Sequence, residues 1–155
     1  MTCAVAADTK LETPEGPLTV KTAGNSPTPV MVCDADGHHA FAMTREVRLI
    51  AAAQPVLRIT LDNGRSLRVG PEQLFEAPGG TVRRAGDLAA GDALLSAFSF
   101  PVGYNYRTDA GELRVSDGCV AITQIADGGT ADLYTLTLSR DAPFVFSCGL
   151  IGRTA

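Results

Sequence analysis

Hydrophobic and polar residues alternate along short segments of this chain, and turn-forming residues interrupt the alternation about every eight to twelve positions. The clearest case is LRITLDNGRSLRVG, where every second residue from Leu57 to Leu61 is hydrophobic and Leu67 and Val69 continue the alternation after DNG. A DNG turn between alternating segments is typical of a β-hairpin. This segment therefore predicts two antiparallel strands.

Other segments show the same pattern of alternating residues separated by turns. A TPEG turn separates Thr9 to Leu11 from the extended segment LTVKT, and a DADG turn centred on Asp36 and Gly37 joins two more strands. Near the end, a DGGTAD turn is expected between CVAITQIA and LYTLTLS, and an RDAP turn before FVFSCGLIG. Residues 85–90 favour at most a short helical turn. Residues 101–118 contain many turn-forming residues and are expected to be a long connection between the two halves of the chain, without a second hydrophobic core.

Composition agrees with this pattern. The 155 residues are 45% hydrophobic and 19% charged, which excludes a disordered chain, and 16 Gly with 9 Pro are too many for a helical bundle. This length is typical of one globular domain. We expect a single all-β domain over residues 1–155, with short helical turns at most.

The charge balance limits the classes of partner. Thirteen basic and 17 acidic residues give a net charge of −4, which argues against nucleic acid or anionic lipid as a partner. No segment has the length of an apolar membrane span, and Asp8, Lys10 and Glu12 come too early for a signal peptide. We expect a soluble, cytoplasmic monomer that could contact a protein partner.

Two groups of side chains invite structural or binding roles. Phe98, Phe100, Tyr104 and Tyr106 recur at two-residue spacing, which predicts core and rim positions or, alternatively, a patch that binds a partner. The arginines of the DNG hairpin and of the 83–84 step are interpreted as a solvated strand face.

The four cysteines contain no C-x-x-C pair, so they indicate neither a redox motif nor a zinc ribbon. Cys33 and Cys119 are expected to be small buried residues. His38 and His39, the only histidines, follow Asp34 and could suggest a metal site. Because adjacent residues on a strand point to opposite faces, both histidines should not bind one ion. We expect neither a metal nor a cofactor.

Three segments, in the same order, resemble the Hint domain, the self-processing β fold of inteins, hedgehog C-terminal domains and bacterial intein-like proteins. The first has Cys3 followed by D-T-x-L and the T-P-x-G turn. The second is the DNG hairpin with its continuation to GDAL, and the third is the closing segment DLYTLTLSRDAPFVFSCGLIGRTA. The resemblance covers nearly the whole chain and implies a horseshoe-shaped, pseudo-twofold β domain in which Cys3 lies near residues 147–153.

The resemblance also implies a chemistry. In the family, a Cys thiol attacks the preceding carbonyl and converts an amide to a thioester, which requires protonation of the leaving nitrogen. The His of a T-x-x-H motif serves this step, and a His-Asn pair at the other end assists Asn cyclisation. Cys3 is the candidate nucleophile.

The proton carriers of both steps are replaced in this chain. The T-x-x-H motif falls on residues 70–73, so that Gly70 stands for the Thr and Gln73 for the His, while Arg153 and Thr154 stand for the terminal His-Asn. A carboxamide cannot take up or deliver a proton near neutral pH. The sequence therefore predicts a Hint-like domain degenerate in autoprocessing, which acts as a structural or interaction module.

Two alternatives stay open at this point. One is an active autoprocessing domain in which Cys3 performs the acyl shift with His38 or His39, so the status of the chain as an enzyme is undecided. The other is a small β-barrel binding protein unrelated to Hint domains.

Overall fold

Strands and turns make up nearly all of the regular structure in the computed structural model, which describes residues 3–34 and 36–154. The helical parts are α1, Val20–Ala23, and two three-residue 3-10 turns, Pro78–Gly80 and Ala85–Asp87. The expected all-β class and the helical turn near residue 85 are confirmed. Within the described ranges, no helix is long and apolar enough to cross a membrane.

Ten of the fourteen strands form one sheet, in the order β8-β7-β14-β13-β4-β5-β6-β1-β12-β9, and β5 also pairs with β12. Separate two-stranded sheets join β2 to β3 and β10 to β11. The strands are β1 Val5–Ala6, β2 Lys10–Thr13, β3 Gly16–Thr19, β4 Pro29–Cys33, β5 His39–Leu61, β6 Ser66–Val69, β7 Leu74–Ala77, β8 Thr81–Arg84, β9 Ala93–Leu95, β10 Asn105–Arg107, β11 Leu113–Val115, β12 Cys119–Leu138, β13 Phe144–Val145 and β14 Ile151–Gly152.

The hairpins predicted from turn residues are present. In the DNG hairpin, β5 pairs with β6 so that Leu57 faces Val69 and Ile59 faces Leu67. The TPEG turn joins β2 to β3, where Gly16 adopts a φ of 103° that a glycine accommodates without strain. The DADG turn joins β4 to β5, although its residue Ala35 lies outside the described residues.

Two local predictions were wrong. Residues 20–22 were expected to be extended, but they form α1, whose first turn is capped by a hydrogen bond from the Thr22 amide to the Thr19 hydroxyl. The expected DGGTAD turn is a bulge inside β12, with a register shift between Asp127 and Thr130. A Cβ on Gly128 would lie 3.0 Å from the Arg58 backbone nitrogen. This glycine therefore permits close approach of strands and does not reverse the chain.

Three phenylalanines form the centre of the core beneath the C-terminal strands. Phe144 and Phe146 have ring centroids 4.9 Å apart, and Phe75 lies 5.7 Å from Phe146. All three are fully buried. Since Phe75 is also the register partner of Gly152, this cluster fixes β14 against β7.

The sheet order brings the two ends of the described chain to one place. Strand β1 lies between β6 and β12, where Val5 pairs with both Val69 and Tyr134. At the other end, β14 pairs with β7. Because residues 70–73 are the short connection from β6 to β7, this connection lies between the two ends.

Candidate functional site

The Gln73 side chain joins the two ends of the chain. It is fully buried, and its Oε1 accepts a hydrogen bond of 2.9 Å from the backbone amide of Ala4. Its Nε2 donates to the carbonyl of Leu74 at 2.8 Å and to the carbonyl of Arg153 at 3.3 Å. One acceptor and two donors are thus used by a single carboxamide.

The backbone around Gln73 is fixed on both sides. Gly70 donates its amide to the Ala4 carbonyl at 2.8 Å, and the Gln73 amide closes a tight turn to the Gly70 carbonyl at 3.2 Å. The Ala85 amide, in the second 3-10 turn, donates to the Gln73 carbonyl at 2.8 Å. These bonds hold the carboxamide between β1 and β14.

Cys3 precedes this bridge and has no exposed surface. Burial raises the pKa of its thiol above the ordinary value, and the smaller effects of the Leu136 backbone and the Thr135 hydroxyl do not reverse this. A buried thiol with a raised pKa stays protonated near neutral pH and is a poor nucleophile.

At the other end, Arg153 is held by three contacts to β7 and its edge. Its amide donates to the Leu74 carbonyl at 3.0 Å, its carbonyl accepts from Gln73, and its Nε donates to Glu76 Oε1 at 2.6 Å. The Arg153 guanidinium is therefore paired with a carboxylate that is only 14% exposed. Thr154 follows and is partly exposed.

Solved structures with this architecture are inteins and an intein-like domain. A DnaB intein from Synechocystis superposes with a TM-score of 0.73 at 12% identity, covering 98% of this chain and 99% of that one. The bacterial intein-like domain from Clostridium thermocellum gives 0.73 at 14% identity, covering both chains completely at 100%. The chain has the fold of the inteins and intein-like Hint domains.

A DnaX mini intein from Spirulina platensis agrees, with a TM-score of 0.66 at 14% identity over 97% of this chain and 98% of that one. No protein-family model matches the chain, and no curated protein matches it either. The Hint fold is thus evident from the structure at identities too low to show more than the fold. The alternative of an unrelated small β-barrel was wrong.

Gly70, which the resemblance aligns with the Thr of the T-x-x-H motif, leaves little room for a side chain. A Cβ on Gly70 would lie 3.0 Å from the Ala4 Cβ and 3.1 Å from Leu133 Cδ1. Both contacts are tighter than ordinary van der Waals distances. A threonine here would require β1 or Leu133 to move.

Four of the predicted site positions thus share one network or border it. Gly70 and Gln73 both bond to Ala4, which directly follows Cys3, and Gln73 bonds in turn to Arg153. The sequence did not reveal the role of Glu76 as the partner of Arg153. The only available signal was a carboxylate within the otherwise largely apolar strand LFEA.

The two histidines take no part in this network. His38 lies at the tip of the β4–β5 hairpin with 79% of its side chain exposed, and its Nδ1 is 3.9 Å from Asp34. His39 is exposed as well. Neither imidazole is among the groups that act on the pKa of Cys3.

Asp34, Asp36 and His38 are close enough at this tip for one atom of each to reach a common point, with the atoms within 4.8 Å of one another. Asp34 Oδ1 already accepts the backbone amides of Asp36 and His38, which accounts for the grouping as an ordinary turn. His39 is outside the group, as strand alternation predicts.

The expected burial of two cysteines was wrong. Cys33 and Cys119 are partly exposed, whereas the buried cysteines are Cys3 and Cys148. In the aromatic group, Phe98, Phe100 and Tyr104 are exposed and Tyr106 is half-buried, with Phe100 stacked on Tyr104 at 4.8 Å, so none of the four is a core residue and the alternative of a partner-binding patch stays a prediction. These rings pack on one another rather than in the core.

Proposed function

We propose that this chain is a Hint-fold domain that has lost self-cleavage and serves as a structural or interaction module. The observation that carries the proposal is the Gln73 carboxamide, which stands where the family motif has its imidazole and is hydrogen-bonded to Ala4 and Arg153. In this domain that position stabilises the meeting of the two chain ends.

The proton balance of the family reaction supports this proposal. Thioester formation at Cys3 requires an acid at the nitrogen of the bond that breaks, and general acid–base assistance contributes about 10² to 10⁴ in rate. A neutral carboxamide cannot donate that proton as an acid near neutral pH. Gln73 also directs its oxygen at the amide that follows Cys3, where it acts only as an acceptor.

The state of the thiol supports it further. Burial keeps the pKa of Cys3 raised, so the attacking thiolate is scarce. At the other end, the Arg153 guanidinium, which stays charged, pairs with Glu76 where the family has a His. Neither terminal step retains a titrating group that works near neutral pH.

A fusion assay tests the proposal. A folded reporter is placed upstream of Cys3, and the fusion is incubated with and without dithiothreitol, beside a Cys3→Ala control. We expect intact fusion by mass spectrometry in every sample. Thiol-dependent release of the reporter from the unmodified sequence, lost in Cys3→Ala, would instead show active autoprocessing.

A further inference from the structure

A groove separate from the Gln73 network opens where β2, β6 and the turn between β13 and β14 meet. Its volume is about 300 Å³, and its lining includes Lys10, Arg58, Ser66, Arg68 and Ser147. That volume is at the lower end of the range for small-ligand sites. Most of the functional groups in this lining are cationic or hydroxylic.

The groove contains two arginines that face each other across a strand pair. Arg58 on β5 is the register partner of Arg68 on β6. Like charges directly opposite each other destabilise a sheet. The two differ in their surroundings, because Arg58 is exposed to solvent and the Arg68 side chain is only 19% exposed.

The protein neutralises only Arg68. Its Nη1 bonds to both carboxylate oxygens of Asp8 at 2.9 and 2.8 Å, and its other two nitrogens donate to the carbonyls of Gly128 and Thr130. The single carboxylate in the groove is therefore paired already. Arg68 and Asp8 therefore form a charge-paired part of the groove lining.

The remaining cations of the groove have no acidic partner within residues 3–34 and 36–154. Lys10 and Arg58 form no ion pair there. The guanidinium of Arg65, which adjoins the groove, donates to the carbonyl of Ser147 at 3.1 Å. Two unpaired positive charges, those of Lys10 and Arg58, thus line a polar groove, and Arg65 adjoins it through its bond to Ser147.

We propose that this groove binds a phosphate-type oxyanion, free or as a phosphate ester. Guanidinium groups match the geometry of tetrahedral oxyanions, an ammonium adds a point charge, and the Ser66 hydroxyl can donate. The two unpaired cations of the lining suit a multiply charged anion, because a single carboxylate would neutralise only one of them. The groove contains no residue of the Gln73 network. Anion binding here does not depend on whether the domain cleaves itself.

Isothermal titration calorimetry with inorganic pyrophosphate at low ionic strength tests the site on the full chain. The test variant is Lys10→Ala with Arg58→Ala. The matched control is Lys21→Ala with Arg114→Ala, two exposed cations elsewhere, so both doubles have the same net charge. We expect one-site binding by the unmodified protein, weakened about tenfold or more in the test variant and within about twofold in the control.

A phosphoserine titration separates the two sources of the anion, since binding of phosphoserine as well as pyrophosphate indicates a site open to esters. Amide chemical shifts should move at Thr9, Ser66 and Ser147, which line or border the groove. Circular dichroism checks folding. If the Lys10→Ala, Arg58→Ala variant does not fold, it is replaced by Arg58→Gln, which keeps most of the side-chain stem. Absence of binding, equal weakening in both doubles, or shifts confined to other surfaces would overturn the proposal.

Discussion

The side-chain amide of Gln73 donates to the backbone carbonyl of Arg153 at 3.3 Å, across 80 positions of sequence. The same side chain accepts the amide of Ala4 at 2.9 Å. One buried carboxamide therefore connects Ala4 to Arg153, and stability should respond strongly to its loss.

Replacement of Gln73 by Ala should lower the free energy of unfolding by about 2 to 4 kcal/mol. The substitution leaves the buried Ala4 amide without an acceptor and creates a cavity between β1 and β14. Urea denaturation followed by circular dichroism measures the change. Gln124→Ala, at an exposed position of β12, is the matched control and should change stability by less than about 0.5 kcal/mol. Equal effects of the two substitutions would contradict a bridging role.

Replacement of Gly152 by Ala should destabilise the domain by about 1 to 3 kcal/mol through overpacking. A Cβ there would lie 2.7 Å from Phe146 Cε2, 3.0 Å from Phe144 Cζ and 3.1 Å from Gln73 Nε2. Combining it with Phe146→Leu should cost less than the sum of the two single changes, because the smaller side chain removes the tightest contact. A double-mutant cycle by thermal or urea unfolding measures this coupling, and simple additivity would argue against the steric explanation.

Alkaline pH should destabilise the domain through Cys148. Burial raises the pKa of this thiol to about 11, above about 8.5 for an exposed thiol. The unfolded chain therefore loses its proton first, and stability should fall by about 3 kcal/mol as the pH rises from 8.5 to 11. Urea unfolding across this range in Cys148→Ala should show a shallower decline, whereas Cys119→Ala, at a partly exposed position, should keep most of it. An unchanged decline in Cys148→Ala would assign the effect to another group.

Native alkylation should distinguish two classes of cysteine. Cys33 and Cys119 are partly exposed, whereas Cys3 and Cys148 are buried. Iodoacetamide should modify the first pair in the folded protein and all four cysteines in guanidinium, as peptide mass spectrometry would show. Rapid modification of Cys3 in the folded state would contradict its burial and would strengthen the case for a reactive nucleophile.

The local features of the fold could be predicted from sequence because their signals are local. The DNG hairpin needs only alternating side chains and a turn that tolerates positive φ, and Gly64 adopts a φ of 81° there. The two glycines of DGGTAD also predicted a turn, but in the structure they form a bulge inside β12. Whether paired glycines reverse a strand or let it pass close to a neighbour depends on that neighbour, here the backbone of β5 near Arg58.

The sequence singled out positions for the candidate site but not their contacts. The resemblance pointed to Gln73 and Arg153, yet their hydrogen bond and the Arg153–Glu76 pair join residues far apart in sequence. For the aromatic group the sequence left core and patch open, because strand periodicity does not reveal whether another layer covers a hairpin. Phe100 stacks on Tyr104 outside the main core, with half its surface exposed.

In the proposed function, Gln73 is a structural bridge at the position where the family has a proton carrier. The most direct test is a time course by mass spectrometry of a reporter fused upstream of Cys3, in dithiothreitol at neutral pH, comparing the unmodified domain with Gln73→His. Gly70 is left unchanged, because a side chain there would press on Ala4 and Leu133. The account predicts an intact unmodified fusion and thiol-dependent release from Gln73→His that a further Cys3→Ala change abolishes. Release from the unmodified fusion at a rate equal to that of Gln73→His would contradict the account.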